Sequence, residues 1–465
     1  MGHKFKESEE GNEHINKFEE MLKNNDLYYF NTEAYEYIIE YYLDKQKLKK
    51  ALKASDIAIS QYPFSNDFKL YKANILINIG HYQDAEELIS TLEMFSQDEE
   101  LLMLKGILLA HKGEYEKALK HFHDIEPLIE EKEDVYFNIA LAYQSIANYE
   151  KAIEYYKKVI ELNIENEDAL YELAFCLDVT EQLESSVSFY EKFIDQDPYS
   201  HVAWYNLGLV YSKLDNMEKA LWAYDYATLI KEDFSSAYYN MGSIYATQEK
   251  HVEAIKCFEK VLENEDPTAE TYCCIASSYH KLDNFEMALN YYRKATKQEP
   301  RYSEGWYGMG STLINQKKAF EALHFLNKAI ELDEMVGEYY LAKADAEYMV
   351  GNVVSAEENY EKASTLFNQE PDLWLNWSYL YFDQGDYNKA CDTLFNGIES
   401  LPEDADLYYR AVVYLIYAGL YKEALLYLEN ALILDFDKHV SLYEFFQEPN
   451  SFKTIFNIIE QYRKS

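Results

Sequence analysis

Two stretches of the chain repeat one another: HVAWYNLGLVYSKLDNMEKALWAYDYA, which begins at His201, and SSAYYNMGSIYATQEKHVEAIKCFEKV, which begins at Ser235. The offset between them is 34 residues. The same phase continues without a gap from Glu99 to Lys438, and two further units precede it. A fixed period of this length predicts an array of helix-turn-helix units, each packed on its neighbours.

These units divide the chain into three parts. Residues 1–31 are predicted to form an N-terminal segment with a capping helix, and residues 439–465 a degenerate repeat with a C-terminal capping helix. Between them, residues 32–438 hold twelve repeats. We place the repeats at 32–65, 66–98, 99–132, 133–166, 167–200, 201–234, 235–268, 269–302, 303–336, 337–370, 371–404 and 405–438.

Two positions of the repeat are held by small residues. Position 8 is occupied by Gly106, Ala140, Ala174, Gly208, Gly242, Ala276, Gly310, Ala344 and Ser378. Position 20 is occupied by Ala51, Ala85, Ala118, Ala152, Ser186, Ala220, Ala254, Ala288, Ala322, Ala356, Ala390 and Ala424. Since the two helices of a unit cross here, a larger side chain would hold their backbones apart.

This pattern resembles the tetratricopeptide repeat (TPR) family. The resemblance implies an all-α fold, an α-α superhelix in the form of a right-handed TPR solenoid with capping helices at both ends. In this family the first helix of each pair lines a concave groove. Residues at repeat positions 2, 5, 6, 9, 12 and 13 are therefore expected to point into that groove.

Position 6 of the repeat supplies a row of asparagines, Asn138, Asn206, Asn240 and Asn376. An amide side chain can donate to and accept from a peptide backbone at once. The row is similar to the asparagine ladder in the repeat domain of O-linked N-acetylglucosamine transferase. It is interrupted by Glu172, Cys274 and Gly308. Asparagine is also the family's typical residue here, so a role in gripping a partner backbone and a role in the repeat itself both stay open.

Position 5 supplies aromatic rings toward the same surface, and a later repeat adds another from position 9. The candidate contact residues are Tyr171, Tyr205, Tyr239, Tyr307 and Tyr379. Their rings can stack on partner side chains, or they can shield the seam between helices. Position 2 is acidic in ten of the twelve repeats, which either favours a basic partner or offsets the helix dipole.

The charge balance narrows the class of partner. The chain has 43 basic and 83 acidic residues, a formal net charge of -40. Such a field repels phosphate backbones and anionic lipids, so we predict no nucleic acid and no membrane insertion. A protein or peptide segment with basic residues would suit the charge, although the acidity also serves solubility. Five cysteines without paired spacing and an N-terminus without an apolar segment predict a cytoplasmic protein.

No catalytic constellation is found in the sequence. There is no HExxH and no Walker loop, and Cys273 and His280 lie two helical turns apart. We therefore predict no enzyme activity, no catalytic residue, no metal and no cofactor. A clamp for acidic chaperone tails would need basic residues at positions 2, 5 and 6, where only Arg410 fits, so we predict no carboxylate clamp.

These observations favour a non-enzymatic scaffold that binds a partner segment in the concave groove of a TPR superhelix. Two alternatives stay open. The chain could hold basic clients in the manner of a chaperone, or it could be a non-catalytic subunit of a larger enzyme or secretion assembly. The sequence does not identify the partner.

Overall fold

The computed structural model describes residues 9–24, 27–94, 98–445 and 453–462. Across these residues the regular structure is α-helical, with short 3-10 helices at Glu126–Leu128 and Asp437–Ser441 and no strand. The chain forms two compact units, Met1–Glu232 and Asp233–Ser465, which are described separately below.

The first unit begins with a helix that precedes the repeats and continues as pairs of helices. Its helices are α1 (Glu9–Asn24), α2 (Thr32–Asp44), α3 (Leu48–Gln61), α4 (Asp67–Ile79), α5 (Tyr82–Glu93), α6 (Glu99–His111), α7 (Tyr115–Ile125), α8 (Lys132–Ser145), α9 (Tyr149–Leu162), α10 (Glu167–Val179), α11 (Leu183–Gln196), α12 (His201–Lys213) and α13 (Met217–Ile230). Helix α5, in the predicted repeat that is one residue short, is shorter than the 14-residue α9 and α11.

The second unit continues the same alternation and ends in two helices outside the repeats. Its helices are α14 (Ser235–Thr247), α15 (His251–Asn264), α16 (Ala269–Lys281), α17 (Phe285–Gln298), α18 (Ser303–Asn315), α19 (Ala319–Leu332), α20 (Gly337–Met349), α21 (Val353–Leu366), α22 (Pro371–Asp383), α23 (Tyr387–Ser400), α24 (Ala405–Tyr417), α25 (Tyr421–Leu434), α26 (Leu442–Phe445) and α27 (Lys453–Tyr462).

Consecutive helices pack against one another in both units. The most extensive contacts join α8 to α9, α12 to α13, α16 to α17, α18 to α19 and α20 to α21, whereas α10 and α11 are only weakly in contact. This arrangement confirms the predicted all-α TPR fold. The predicted repeat boundaries stay an assignment from the sequence.

Glycine at position 8 of a repeat lies directly under a large side chain of the second helix, which is an aromatic ring over Gly106 and Gly242 and a leucine over Gly310. A Cβ on Gly106 would lie 2.3 Å from Cε1 of Phe122, and a Cβ on Gly242 would lie 2.8 Å from Cε1 of Phe258. Both rings are almost fully buried, so neither can move aside at low cost. The small residue therefore makes room for a side chain of the second helix, and not only for close approach of two backbones.

The turn inside each predicted repeat contains one residue in the left-handed region. Five of these are glycines, which adopt this conformation readily, namely Gly80, Gly113, Gly351, Gly385 and Gly419. The others are Gln46, Ala147, Glu181, Asp215, Glu249, Asp283 and Lys317. At Gly80 the amide donates to the Ile77 carbonyl (3.0 Å) and the next amide, of His81, donates to Leu76 (2.8 Å). These two bonds close the helix end.

Three tryptophans fix the junction between one repeat and the next. The indole N–H of Trp204 donates to the Pro198 carbonyl (2.9 Å), and that of Trp306 donates to the Pro300 carbonyl (3.0 Å). Trp374 donates to Asn368 in the same way (2.9 Å). Each ring can thus be buried without leaving its donor unpaired.

The two ends of the array are covered by helices outside the repeats. Helix α1 packs on α2 and buries Ile15, Phe18 and Met21. At the other end α27 contacts α25 and buries Ile459. Serine is a preferred N-cap residue, and Ser451 is therefore the N-cap that we predict for this last helix, but it lies outside the described residues.

Candidate partner-binding surface

The first helices of successive pairs lie closer together than the second helices do. In the first unit α4 contacts α6, and α10 contacts α12, while in the second unit α16 contacts α18 and α22 contacts α24. No second helix among the described residues contacts the next second helix to the same extent. The first helices therefore line the concave side of each unit, which we call its inner face.

The predicted asparagines do not form a free row on the inner face. The Asn138 amide donates to the Asp134 carbonyl of its own helix at 2.8 Å. Asn206 is only 1% exposed, and its amide donates to the Leu170 carbonyl on α10 at 3.2 Å. Its Oδ1 is also buried and has no hydrogen-bond partner among the described residues. Asn206 therefore joins α12 to the preceding first helix.

Asn376 takes part in a partly buried polar cluster in the second unit. Its Nδ2 lies 3.2 Å and 3.3 Å from the two carboxylate oxygens of Asp345, and the Tyr360 hydroxyl donates to the same carboxylate at 2.6 Å. Burial raises the pKa of Asp345 to about 6, although both hydrogen bonds act to lower it. Asn240, the remaining asparagine, is half-buried.

The predicted tyrosines link neighbouring first helices. Tyr171 lies edge-on to Tyr205 with ring centroids 6.5 Å apart, and Tyr307 stacks on Tyr339 at 4.9 Å. The Tyr239 hydroxyl donates to a Glu270 carboxylate oxygen at 2.6 Å. These contacts show that the rings shield the seam between helices, which was one of the two roles open from the sequence.

Two of the predicted tyrosines also keep a large exposed surface. Tyr171 and Tyr379 are each 38% exposed. Tyr379 lies edge-on to Tyr348, with ring centroids 6.3 Å apart. Their rings are therefore available to a partner while they pack against the chain.

Helix α10 carries an apolar surface that was not predicted from the sequence. Phe175 is 48% exposed and Val179 is 44% exposed, and with Tyr171 they form what we call the α10 stripe. The three residues are spaced by four, which places them on one helix face, and this spacing was visible in the sequence. Helix α10 packs mainly on α9, less on α12 and only weakly on its own partner α11.

Among the described residues, this surface has no cluster of side chains of the kind that binds a metal ion. No group of three or more His, Cys, Asp or Glu side chains suited to a metal occurs among the described residues. Within the same ranges no helix is long and apolar enough to cross a membrane. Arg410, the single basic residue at a clamp position, lies with its guanidinium 4.7 Å from the Phe445 ring centroid.

Solved structures with related folds include several repeat proteins. YrrB, described as a TPR protein with an unusual peptide-binding site, is 23% identical, with 40% of this chain and 95% of that chain covered and a TM-score of 0.34. A chain of the APC/C hetero-tetramer Cut9-Hcn1 is 14% identical, with 93% and 92% covered and a TM-score of 0.42. A tetratricopeptide repeat protein from Parabacteroides merdae is 15% identical, with 54% and 98% covered and a TM-score of 0.41. No curated protein sequence matches the chain.

A family model extends over most of the repeats. The model of the auxiliary subunit of N-terminal acetyltransferase A matches residues 96–379, which is more than half of the chain. The chain therefore belongs to the family of N-terminal acetyltransferase A auxiliary subunits, and it is a TPR protein.

Proposed function

We propose that the chain is a non-catalytic scaffold, the auxiliary subunit of an N-terminal acetyltransferase assembly, and that it holds a catalytic partner on an inner face. The observation that carries the proposal is the family match over residues 96–379. The α10 stripe lies inside that range. An exposed aromatic and aliphatic surface of this kind is typical of a protein interface.

The contact residues we propose are rings of the first helices, of which Tyr171, Phe175 and Tyr379 are the most exposed. Tyr171 and Phe175 offer the largest aromatic area on α10, and Tyr205 borders them. Tyr239, Tyr307 and Tyr379 are the corresponding candidates on the inner face of the second unit. The asparagines contribute by holding first helices in register, because Asn206 and Asn376 already bond within the chain.

A reducing cytoplasmic setting belongs to the same proposal. All five cysteines are free, and four of them are buried. Burial raises the pKa of Cys176 to about 12 and that of Cys257 to about 11, so these thiols stay protonated and unreactive.

The test is purification of the full chain from its native cells, followed by assay of the bound proteins. The complex should transfer acetyl groups from acetyl-CoA to the N-terminus of a peptide, whereas the isolated chain should not. Replacing Phe175 with Ala should reduce the co-purified activity, since interface aromatic residues commonly contribute about 2 kcal/mol or more.

Phe320 provides the matched control. It lies on the second helix α19 and is 81% exposed, so Phe320→Ala removes a similar side chain from a surface outside the inner faces. Co-purified activity that falls equally in both variants would argue against the α10 stripe. Acetyl transfer by the isolated chain, or a purified complex without any transferase, would overturn the proposed function.

The net charge of -40 favours a second candidate, a chaperone-like holder of basic clients. The salt dependence of partner binding distinguishes the two candidate functions. Binding driven by the overall field should weaken steeply between low and high salt, whereas aromatic contacts should persist. A complex that survives 0.5 M salt (about three times physiological ionic strength) would support the scaffold.

A further inference from the structure

A cleft opens on the inner face of the first unit, well before the α10 stripe in the chain. It lies among α4, α6 and α8 and has a volume of about 500 Å³. Its lining residues are Leu70, Asn74, Glu99, Glu100, Met103, Leu104, Ile107, Ile129, Glu131, Asp134 and Asn138. We call it the α4–α8 cleft.

The floor of the α4–α8 cleft is apolar. Leu70, Leu104 and Ile129 are buried, each between 5% and 6% exposed, and they form a packed base. Met103 and Ile107 lie one helical turn apart on α6 and are half-buried. The cleft therefore has room for an aliphatic side chain, whose burial there would release water from both surfaces.

The rim of the same cleft is acidic. Glu99 and Glu100 lie in the first turn of α6, and Glu131 and Asp134 lie where α8 begins. The first-turn carboxylates offset the helix N-terminus, and the Glu99 carboxylate also accepts the Glu130 amide at 3.3 Å. In the described ranges, no lysine or arginine forms an ion pair with Glu99, Glu100 or Glu131.

The ionised form of Glu100 is disfavoured in the folded chain. Burial raises the pKa of Glu100, and the nearby carboxylates of Asp98 and Asp67 raise it further. A cation brought to the rim would lower that pKa and relieve the repulsion. The acidic rim and the apolar floor of the cleft therefore favour one kind of occupant, an aliphatic group flanked by positive charge.

We propose that the α4–α8 cleft docks a short segment of a protein partner in which an aliphatic side chain is flanked by lysine or arginine. The proposal rests on the proposed scaffold function, and it adds a second contact site. A second copy of this chain is a poor occupant because its net charge is -40. An anionic membrane surface is disfavoured for the same reason.

The probe is a fluorescein-labelled peptide of twelve leucines and lysines in amphipathic order, titrated with the full chain at physiological salt and followed by anisotropy. The double variant Glu100→Gln with Glu131→Gln should weaken binding about fivefold or more, because two charge pairs with the peptide are lost. Met103→Gln should weaken it by a similar factor, because the floor becomes polar. A peptide with serine in place of leucine should bind weakly to all forms.

The matched control removes the same charge elsewhere. Glu116 and Glu150 are exposed residues in the first turns of α7 and α9, so Glu116→Gln with Glu150→Gln changes the net charge equally. This variant should bind the peptide within about twofold of the original chain. Circular dichroism spectra and melting temperatures of all variants report whether they fold. Hydrogen exchange on the unmodified chain should show protection of α6 when peptide is bound.

Two outcomes would overturn the proposal. Equal loss of binding in the cleft and control variants would assign the affinity to the overall field. Full displacement by spermine, together with indifference to Met103→Gln, would assign the rim to a small polyamine. Neither outcome touches the proposed function, which is tested by co-purified acetyl transfer and by Phe175→Ala on α10.

Discussion

At the scale of single residues, the small side chains and buried polar groups of the repeat have definite partners. Gly106 faces the Phe122 ring, and Asp345 faces Tyr360 and Asn376. The small residues were evident from the sequence because they recur at one position. Their partners were not, since a periodic pattern does not reveal which ring fills the space or which carboxylate is buried.

Replacing Gly106 with Ala should destabilise the first unit. The new Cβ would lie 2.3 Å from the Phe122 ring, and overpacking of this kind costs about 1–3 kcal/mol. Better helix propensity returns up to about 1 kcal/mol, so we expect a net loss of roughly 1 kcal/mol. The measurement is urea unfolding followed by circular dichroism.

The second variant, Gly106→Ala with Phe122→Leu, shows whether the ring is the cause. A smaller side chain at 122 leaves room for the methyl group, so the two losses should be less than additive. Strict additivity would mean that the glycine is required for another reason.

Asp345→Asn should change how stability depends on pH. The pKa of Asp345 is about 6 in the folded chain, above the value of about 3.9 for an unfolded aspartate. The folded state then binds the proton more tightly, so its stabilising contribution is present at low pH and is lost as the pH rises through about 6. An asparagine at position 345 does not ionise, so the variant does not lose this stability as the pH rises.

The quantity to compare is the urea midpoint of the variant minus that of the original chain, from about pH 4.5 to pH 7.5, a range that includes the folded-state pKa of about 6. We expect this difference to rise with pH. Glu116→Gln, at an exposed carboxylate on α7, should give a flat difference. Parallel curves for Asp345→Asn would show that its carboxyl titrates normally.

At the scale of elements, the turn inside each predicted repeat has the same left-handed residue position, although the amino acid at that position varies. The sequence identifies the turns that contain glycine, such as Gly80 and Gly351, and the helix pairs on either side follow from the 34-residue period. It does not identify Ala147 or Lys317 as left-handed, because the conformation is imposed by the packing of the two helices. For the same reason the exposure of Phe175 depends on how the neighbouring helices pack, which no local pattern encodes.

Ala147→Gly should stabilise the turn between α8 and α9. Alanine in the left-handed region costs about 1–2 kcal/mol, which glycine avoids, while the greater freedom of the unfolded glycine offsets part of the gain. We expect a net increase of about 0.5–1 kcal/mol in the free energy of unfolding. Gly113→Ala is the reverse experiment in a neighbouring turn and should lower it.

The open space around Gly113 makes the effect of its substitution simple to interpret. A Cβ on Gly113 would meet nothing within 4 Å, so a loss on substitution reports backbone conformation alone. Unchanged stability in both variants would mean that the turns relax out of the left-handed region.

At the scale of the whole molecule, the charge excess opposes compactness. A net charge of -40 produces self-repulsion that salt screens. Raising sodium chloride from about 0.02 M to 0.3 M shortens the Debye length from about 20 Å to under 6 Å, so the melting temperature should rise. A melting temperature that falls with salt would show that local ion pairs, such as Lys438 with Asp406, outweigh the repulsion.

The glycine and the ring that covers it also constrain how such a chain can change. Gly106 and Phe122 lie 16 residues apart, on opposite sides of one turn, as do Gly242 and Phe258. Duplication of a whole unit copies both members, so the new unit packs at once. A crossover that falls within the turn separates them and can set a buried ring against a residue other than the one it packs on. Arrays of this type are therefore expected to lengthen and recombine in steps of complete units, with the two positions inherited as a pair.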